Sequence, residues 1–132
     1  MITRLAPDTL RTVPEQYQGI YVHGTQITAS RTLVCLSGQI GVALNDEALE
    51  GFEWQCHQTM SNVEALLTDA GLETADIPRV IYYVTGARFL PVLSNIRQDR
   101  WNQGRAPTVT TLVAAGLAAP DLLVEIEVTA AR

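Results

Sequence analysis

Leu122-Leu123-Val124-Glu125-Ile126-Glu127-Val128-Thr129 is the stretch that decides the fold. Successive side chains of a strand point to opposite faces, so Val124, Ile126 and Val128 share one side and Glu125 and Glu127 the other. Such a strand belongs to a sheet covered on one face only. Before it, Thr108-Val109-Thr110-Thr111-Leu112-Val113 predicts another strand, with residues 116–121 as the connecting loop. Further upstream, residues 88–102 predict a helix with Phe89, Val92, Leu93, Ile96 and Trp101 inward. Pro91 sits in its first turn, where a missing N–H costs little, and Asn102-Gln103-Gly104 stops it. Arg79-Val80-Ile81-Tyr82-Tyr83-Val84, opened by Asp76-Ile77-Pro78 and ended by Gly86, is rich in β-branched and aromatic residues and predicts a strand.

Residues 52–70 carry the clearest helical period. Phe52, Cys56, Met60, Val63, Leu67 and Ala70 recur at steps of three or four, and Gly71 is a C-terminal cap signal. Thr32-Leu33-Val34-Cys35-Leu36 predicts a buried strand ending at Ser37-Gly38-Gln39-Ile40-Gly41, and residues 19–27 predict a short strand before it. Residues 1–18, with Pro7 and Pro14, predict an irregular arm. The order is ββαβαββ in one domain over residues 1–132, an α+β layer with both helices on one face of the sheet. The other face is expected to carry Val109, Thr111, Glu125 and Glu127. It is too mixed for a core and too apolar for plain exposure, which favours packing against neighbouring subunits.

Composition closes several functional classes. The formal charge is −5, and all nine basic side chains are arginines, scattered from Arg4 to Arg132. Nucleic-acid binding needs a basic stripe that displaces counterions, and there is none. Without lysine, a Schiff-base mechanism is excluded for this chain acting alone. Cys35 and Cys56 sit in apolar stretches and are expected as buried, reduced thiols. His23 and His57 lack metal-ligand spacing, so no metal site is expected. The first residues lack a signal-peptide run and no stretch reaches membrane-spanning length, so a soluble, cytoplasmic protein without membrane contact is expected.

Five pieces, in order, resemble the RidA (YjgF-type) family: Gly19-Ile20-Tyr21; Ser37-Gly38-Gln39-Ile40-Gly41; Gln55, Gln58 and Asn62; Gly71-Leu72 followed by Asp76-Ile77; and Pro120-Asp121-Leu122-Leu123-Val124-Glu125-Ile126-Glu127. The resemblance implies a chorismate-mutase-like α+β fold, a homotrimer with clefts between subunits, and cofactor-free hydrolysis of enamines and imines. It places the water-positioning glutamate on Glu125, the turn tyrosine on Tyr21, and the Ser-Gly pair on Ser37 and Gly38. The family's substrate-carboxylate arginine falls on Val109, within Pro107-Thr108-Val109-Thr110-Thr111. Valine offers a carboxylate nothing, whereas guanidinium offers a bidentate partner. Arg105 and Arg97 are the arginines that could replace it, and Arg105 reads first as a solvated loop charge.

The expected function is a trimer binding a small metabolite between subunits. It would be a divergent, cofactor-independent enzyme acting on an imine, enamine or activated carbonyl, with Glu125 as acid/base. Tyr21, Ser37, Gly38, Val109, Thr110 and Thr111 would contact the ligand. The missing arginine argues against an ordinary 2-imino-acid deaminase and for a less anionic ligand. The alternative is a non-catalytic trimer that binds a metabolite or a protein and regulates something else. A ribonuclease reading, also attached to the resemblance, is opposed by the acidic composition.

Overall fold

The computed structural model describes residues 1–102 and 104–132; Gln103, part of the expected helix stop, lies outside the described residues. Seven strands and two long helices follow one another as β1 (Ile2–Leu5), β2 (Gly24–Ile27), β3 (Leu33–Cys35), β4 (Gln39–Ile40), α1 (Phe52–Asp69), β5 (Arg79–Val84), α2 (Leu90–Trp101), β6 (Thr108–Val113) and β7 (Val124–Ala131). β7 is the hub of the main sheet. It pairs antiparallel with β3, β4 and β5, and β5 pairs parallel with β6, giving the order β3-β7-β5-β6 with β4 also on β7. The sheet is therefore mixed.

The arm departs from expectation. Ile2–Leu5 is not irregular but pairs antiparallel with Gly24–Ile27 as a separate two-stranded sheet, with Leu5 opposite Gly24. Strand pairing supplies partners for backbone groups that the polar arm sequence leaves unsatisfied. Residues 6–23 then cross the molecule, with a 3-10 turn at Glu15–Tyr17 and an isolated parallel bridge from Val22 to Thr108.

Both helices cover one face of the sheet. From α1, Phe52, Cys56, Met60, Val63 and Leu67 are buried together with Val80, Tyr82 and Val84 of β5 and Val124, Ile126 and Val128 of β7. Ala70, expected on this apolar face, is exposed just beyond the helix. α2 adds buried Leu93 and Ile96, with Phe89, Val92 and Trp101 packed against the same cluster. Phe52 and Phe89 stack at 4.5 Å between centroids. Arg100 clamps the helices together. It donates to the His57 carbonyl at 2.9 Å and to both carboxylate oxygens of Glu64 at 3.0 and 2.9 Å, and the Trp101 indole N–H donates to Glu64 at 2.8 Å.

Two expectations fail at the sheet faces. Cys35 is exposed, because Cys35 pairs with Thr129 and so shares the uncovered side; Cys56 is buried as expected. The register also aligns Val109 with Val80 and Val128, and Thr111 with Tyr82 and Ile126. Val109 and Thr111 are therefore on the helix side, opposite Glu125 and Glu127. The uncovered face carries Tyr83 beside Glu125, Ile81 beside Glu127, and Thr110 and Leu112 from β6.

Polar side chains of α1 hold the turns that feed this sheet. Gln55 is 2% exposed. Its amide donates to the Leu49 and Asp121 carbonyls at 2.8 Å, and its oxygen accepts from the Leu123 N–H at 2.8 Å. One turn on, Gln58 donates to Asn62 at 2.8 Å, and Asn62 donates to the Ile40 carbonyl at 3.1 Å. Gly41 lies so close to α1 that a Cβ there would sit 2.6 Å from the Gln55 Cα. Gln55→Leu keeps the volume but strands three backbone groups. It should lower unfolding free energy by roughly 2–4 kcal/mol, measured by urea denaturation. Burial pushes the Cys56 thiol up to about 12, so native protein at pH 8 should leave it unalkylated until unfolding, as mass spectrometry after iodoacetamide treatment would show.

Candidate functional site

The residues singled out in the sequence fall into two groups on opposite faces of the sheet. The first surrounds Glu125. β4 pairs with β7 so that Ile40 faces Glu125, and the preceding Ser37-Gly38 backbone passes directly over the glutamate side chain. A Cβ on Gly38 would overlap the carboxylate, reaching its Cδ at 2.7 Å. Glycine is required here for close approach of backbone to side chain. Ser37 is exposed, and its carbonyl accepts a hydrogen bond from the Gln39 amide at 3.0 Å. Tyr83, paired with Glu125 across the strands, donates its hydroxyl to Glu127 at 3.3 Å. Desolvation, and then the Glu127 carboxylate it bonds, push the Tyr83 hydroxyl above the usual phenol range. Thr110 is exposed on this same face. Tyr83 was not singled out from the sequence. Alternation in β5, with Val80, Tyr82 and Val84 inward, is the signal that places it beside Glu125.

The second group lines a pocket of about 370 Å³ on the helix side, at the β6 edge. Tyr21, Val109 and Thr111 meet there with Pro14, Tyr17, Arg11 and Arg97. The arm forms its outer wall. The His23 ring donates from Nε2 to the Arg11 carbonyl at 2.6 Å, the Ile20 N–H to the Tyr17 carbonyl at 3.0 Å, and the Val22 N–H to the Pro107 carbonyl at 2.9 Å. Tyr17 and Tyr21 approach at 6.3 Å between centroids.

This pocket corrects the expectation of a site without positive charge. Arg97 of α2 and Arg11 of the arm both line it. The Arg97 guanidinium lies 5.4 Å from the Tyr82 ring centroid, and its Nε and Nη1 are buried without a hydrogen-bond partner among the described residues. Burial pulls its pKa below the ordinary arginine value, with Tyr82 and Tyr17 opposing the shift. Arg105 is exposed and does not line this pocket; it borders a separate cleft with Arg4, Asp76 and Arg132. Among the described residues, no three His, Cys, Asp or Glu side chains come together as a metal cluster, and no helix is long and apolar enough to cross a membrane.

In one chain, a ligand in the pocket cannot also touch Glu125. β7 and β6 are separated by β5, which puts them about 10 Å apart at the usual inter-strand spacing, and the sheet lies between the two groups.

Comparison with known proteins agrees with this architecture. The family model described as endoribonuclease L-PSP matches residues 15–132. A RutC family protein from Aquifex aeolicus is 32% identical over 100 residues, covering 74% of this chain and 78% of the relative. Among solved structures, the Rid protein YyfB from Yersinia pestis superposes with a TM-score of 0.85 at 22% identity, covering 99% of this chain and 98% of that one. RidA from an Antarctic Psychrobacter species gives a TM-score of 0.73 at 23% identity, covering 93% of this chain and 100% of that one. At those identities the superpositions speak to the fold.

Gly38→Ala should displace the Glu125 carboxylate while leaving α1 undisturbed. The Glu125 carboxyl carbon resonance should move while the Phe52–Asp69 amide resonances stay in place; an unmoved carboxyl signal would show that Gly38 does not constrain it.

Proposed function

The chain belongs to the RidA (YjgF-type) family, also described as endoribonuclease L-PSP, and from that membership we propose a homotrimer that binds a small metabolite in clefts between subunits. We further propose that it acts without a cofactor on an imine, enamine or activated carbonyl, with Glu125 as acid/base. The observation that carries this reading is the division of the site. Glu125, Ser37, Gly38 and Thr110 lie on the uncovered face, and Tyr21, Val109 and Thr111 on the other. Contributions from two chains at the β6 edge let a single ligand meet both groups.

The uncovered face supports assembly. Leu33 is 64% and Leu112 47% exposed, on a surface that also carries Cys35, Tyr83, Glu125 and Glu127. Apolar groups of this size on both edge strands of a sheet gain from being covered by another subunit. Glu125 is half-buried under the Gly38 backbone, which restricts the carboxylate to few orientations. A carboxylate held in place can take or give a proton, or orient a water, for a carbon centre presented by the ligand. The family's nuclease name fits this chain less well. Its charge of −5 and dispersed arginines offer phosphates no continuous basic track.

The earlier ground for a less anionic ligand was a pocket without a cation, and Arg97 and Arg11 remove that ground. With those two arginines in the lining, valine at position 109 does not by itself set the charge of the ligand.

Light scattering at micromolar concentration should give three times the chain mass; a stable monomer would sink the assembly and the shared cleft with it. Imines generated in situ, with release of ammonia followed, test the chemistry. Glu125→Gln should leave the trimer intact and lower the rate by about two decades or more, the usual size of a general acid–base contribution. Undiminished turnover in that variant would remove Glu125 from the reaction. Ligand binding without turnover in the unmodified protein would favour the regulatory alternative.

A further inference from the structure

We propose that the cleft between β1 and the end of β7 is a second ligand site, in which Arg4, Arg105 and Arg132 hold the phosphoryl group of inorganic phosphate or of a small phosphate monoester. The cleft shares no lining residue with the Tyr21–Thr111 pocket. It is also remote from Glu125, since Arg132 lies seven residues further along the hub strand, about 23 Å at the usual strand rise. The site is thus additional to the one assigned above.

Convergence of charge is the first ground. The arginines are dispersed in the sequence, yet three of them line one cleft of about 420 Å³, from β1, from the segment before β6 and from the end of β7. Asp76 is the one carboxylate in that lining among the described residues, and it is already engaged. Arg132 donates to its two oxygens at 3.3 and 2.6 Å, and the Glu73 N–H donates to Oδ2 at 2.9 Å. Burial works against ionisation of Asp76, but these hydrogen bonds, with the charges of Arg132 and Arg105, hold its carboxyl below the ordinary value. Asp76 therefore cancels one guanidinium of the three. Glu73 is close enough to act on Arg132, but its side chain caps the Asp76 N–H and does not line the cleft. Arg4 and Arg105 have no carboxylate partner among the described residues.

The second ground is that two of these cations are held in place. Ile2 and Arg4 share one face of β1, and both line the cleft. Arg4 donates from Nε to the Ala106 carbonyl at 3.3 Å, which sets its guanidinium beside the backbone of Arg105. Its Nη2 is buried with no hydrogen-bond partner among the described residues, so the chain leaves this cation incompletely satisfied. Arg132 is fixed by Asp76 and by its own carbonyl, which accepts from the Arg31 and Thr32 N–H groups at 2.9 Å. Cations positioned before the ligand arrives lose less conformational freedom on binding.

The lining also selects the class of anion. Guanidinium groups from three segments approach from different directions. A tetrahedral phosphoryl group offers oxygens in several directions, whereas a carboxylate offers two in one plane. The remaining walls, Ile2, Ala75 and Ala131 among them, present no aromatic face on which a ring could stack. The volume accommodates a phosphoryl group with a short substituent.

Calorimetric titration of the full chain with inorganic phosphate, glycerol 3-phosphate and acetate, at constant ionic strength, tests the assignment. At least one phosphate probe should bind saturably, and acetate about tenfold or more weakly. Whichever phosphate probe binds more tightly identifies the source as free phosphate or a monoester. Arg105→Ala and Arg4→Met should each weaken that probe about fivefold or more. Arg88→Ala removes the same charge outside the cleft and should leave the affinity unchanged. Asp76→Asn removes the competing carboxylate and should tighten binding, which keeps the assignment testable should Arg4→Met fail to fold. Absence of saturable binding, acetate binding as tightly as phosphate, unchanged affinity in Arg105→Ala, an equal loss in Arg88→Ala, or no gain in Asp76→Asn would overturn the proposal.

Discussion

The Gln55 side-chain amide satisfies three backbone groups that belong to two different loops, one entering α1 and one entering β7. It fixes the start of the helix and the start of the hub strand relative to each other. Asn62, two turns later, holds the Ile40 carbonyl of β4. The Ser37–Gly41 segment is thereby suspended between α1 and β7, and its backbone can lie across Glu125 without a side chain intervening. The same contact explains why Gly41 has no room for a Cβ. Position and orientation of the carboxylate thus follow from amide hydrogen bonds on the far side of the sheet.

Much of the layer was legible because single elements encode it. Apolar steps of three and four identify α1 to within a residue, and alternation in residues 124–128 gives the two-faced hub strand. What failed depends on pairings between elements. Thr108-Val109-Thr110-Thr111-Leu112-Val113 has apolar residues at positions of both parities, so the strand alone does not say which set faces the helices. Only its register against β5 does, and that register moves Val109 and Thr111 away from Glu125. The β1–β2 pairing was hidden for the same reason, since neither short segment carries a distinctive pattern.

Arg97 shows a different limit. It adjoins Ile96 and follows Leu93 by one turn, so it borders the buried stripe of α2, and the sequence alone does not choose between it and Arg105 as a replacement for the missing arginine. The arm makes the difference. Tyr17 and Tyr21 cross over that border and turn a helix flank into the wall of a pocket. The arm thereby adds Arg11, Pro14 and Tyr17 to the lining of that pocket.

The parity of β6 has an evolutionary consequence. Thr110 and Leu112 face Glu125, while Val109 and Thr111 face Arg97 and the tyrosines. A shift of one residue in the pairing of β6 with β5 would exchange the two sets at once, without altering a single side chain in either. Thr108 is anchored to the Pro78 carbonyl through its N–H at 2.8 Å and its hydroxyl at 2.9 Å, so an insertion or deletion in the loop joining α2 to β6 that displaced this anchor would rewrite both walls of the β6 edge in one event. Relatives that keep the sheet but differ in the length of this loop would diverge in ligand by steps, and point substitutions would refine each step afterwards.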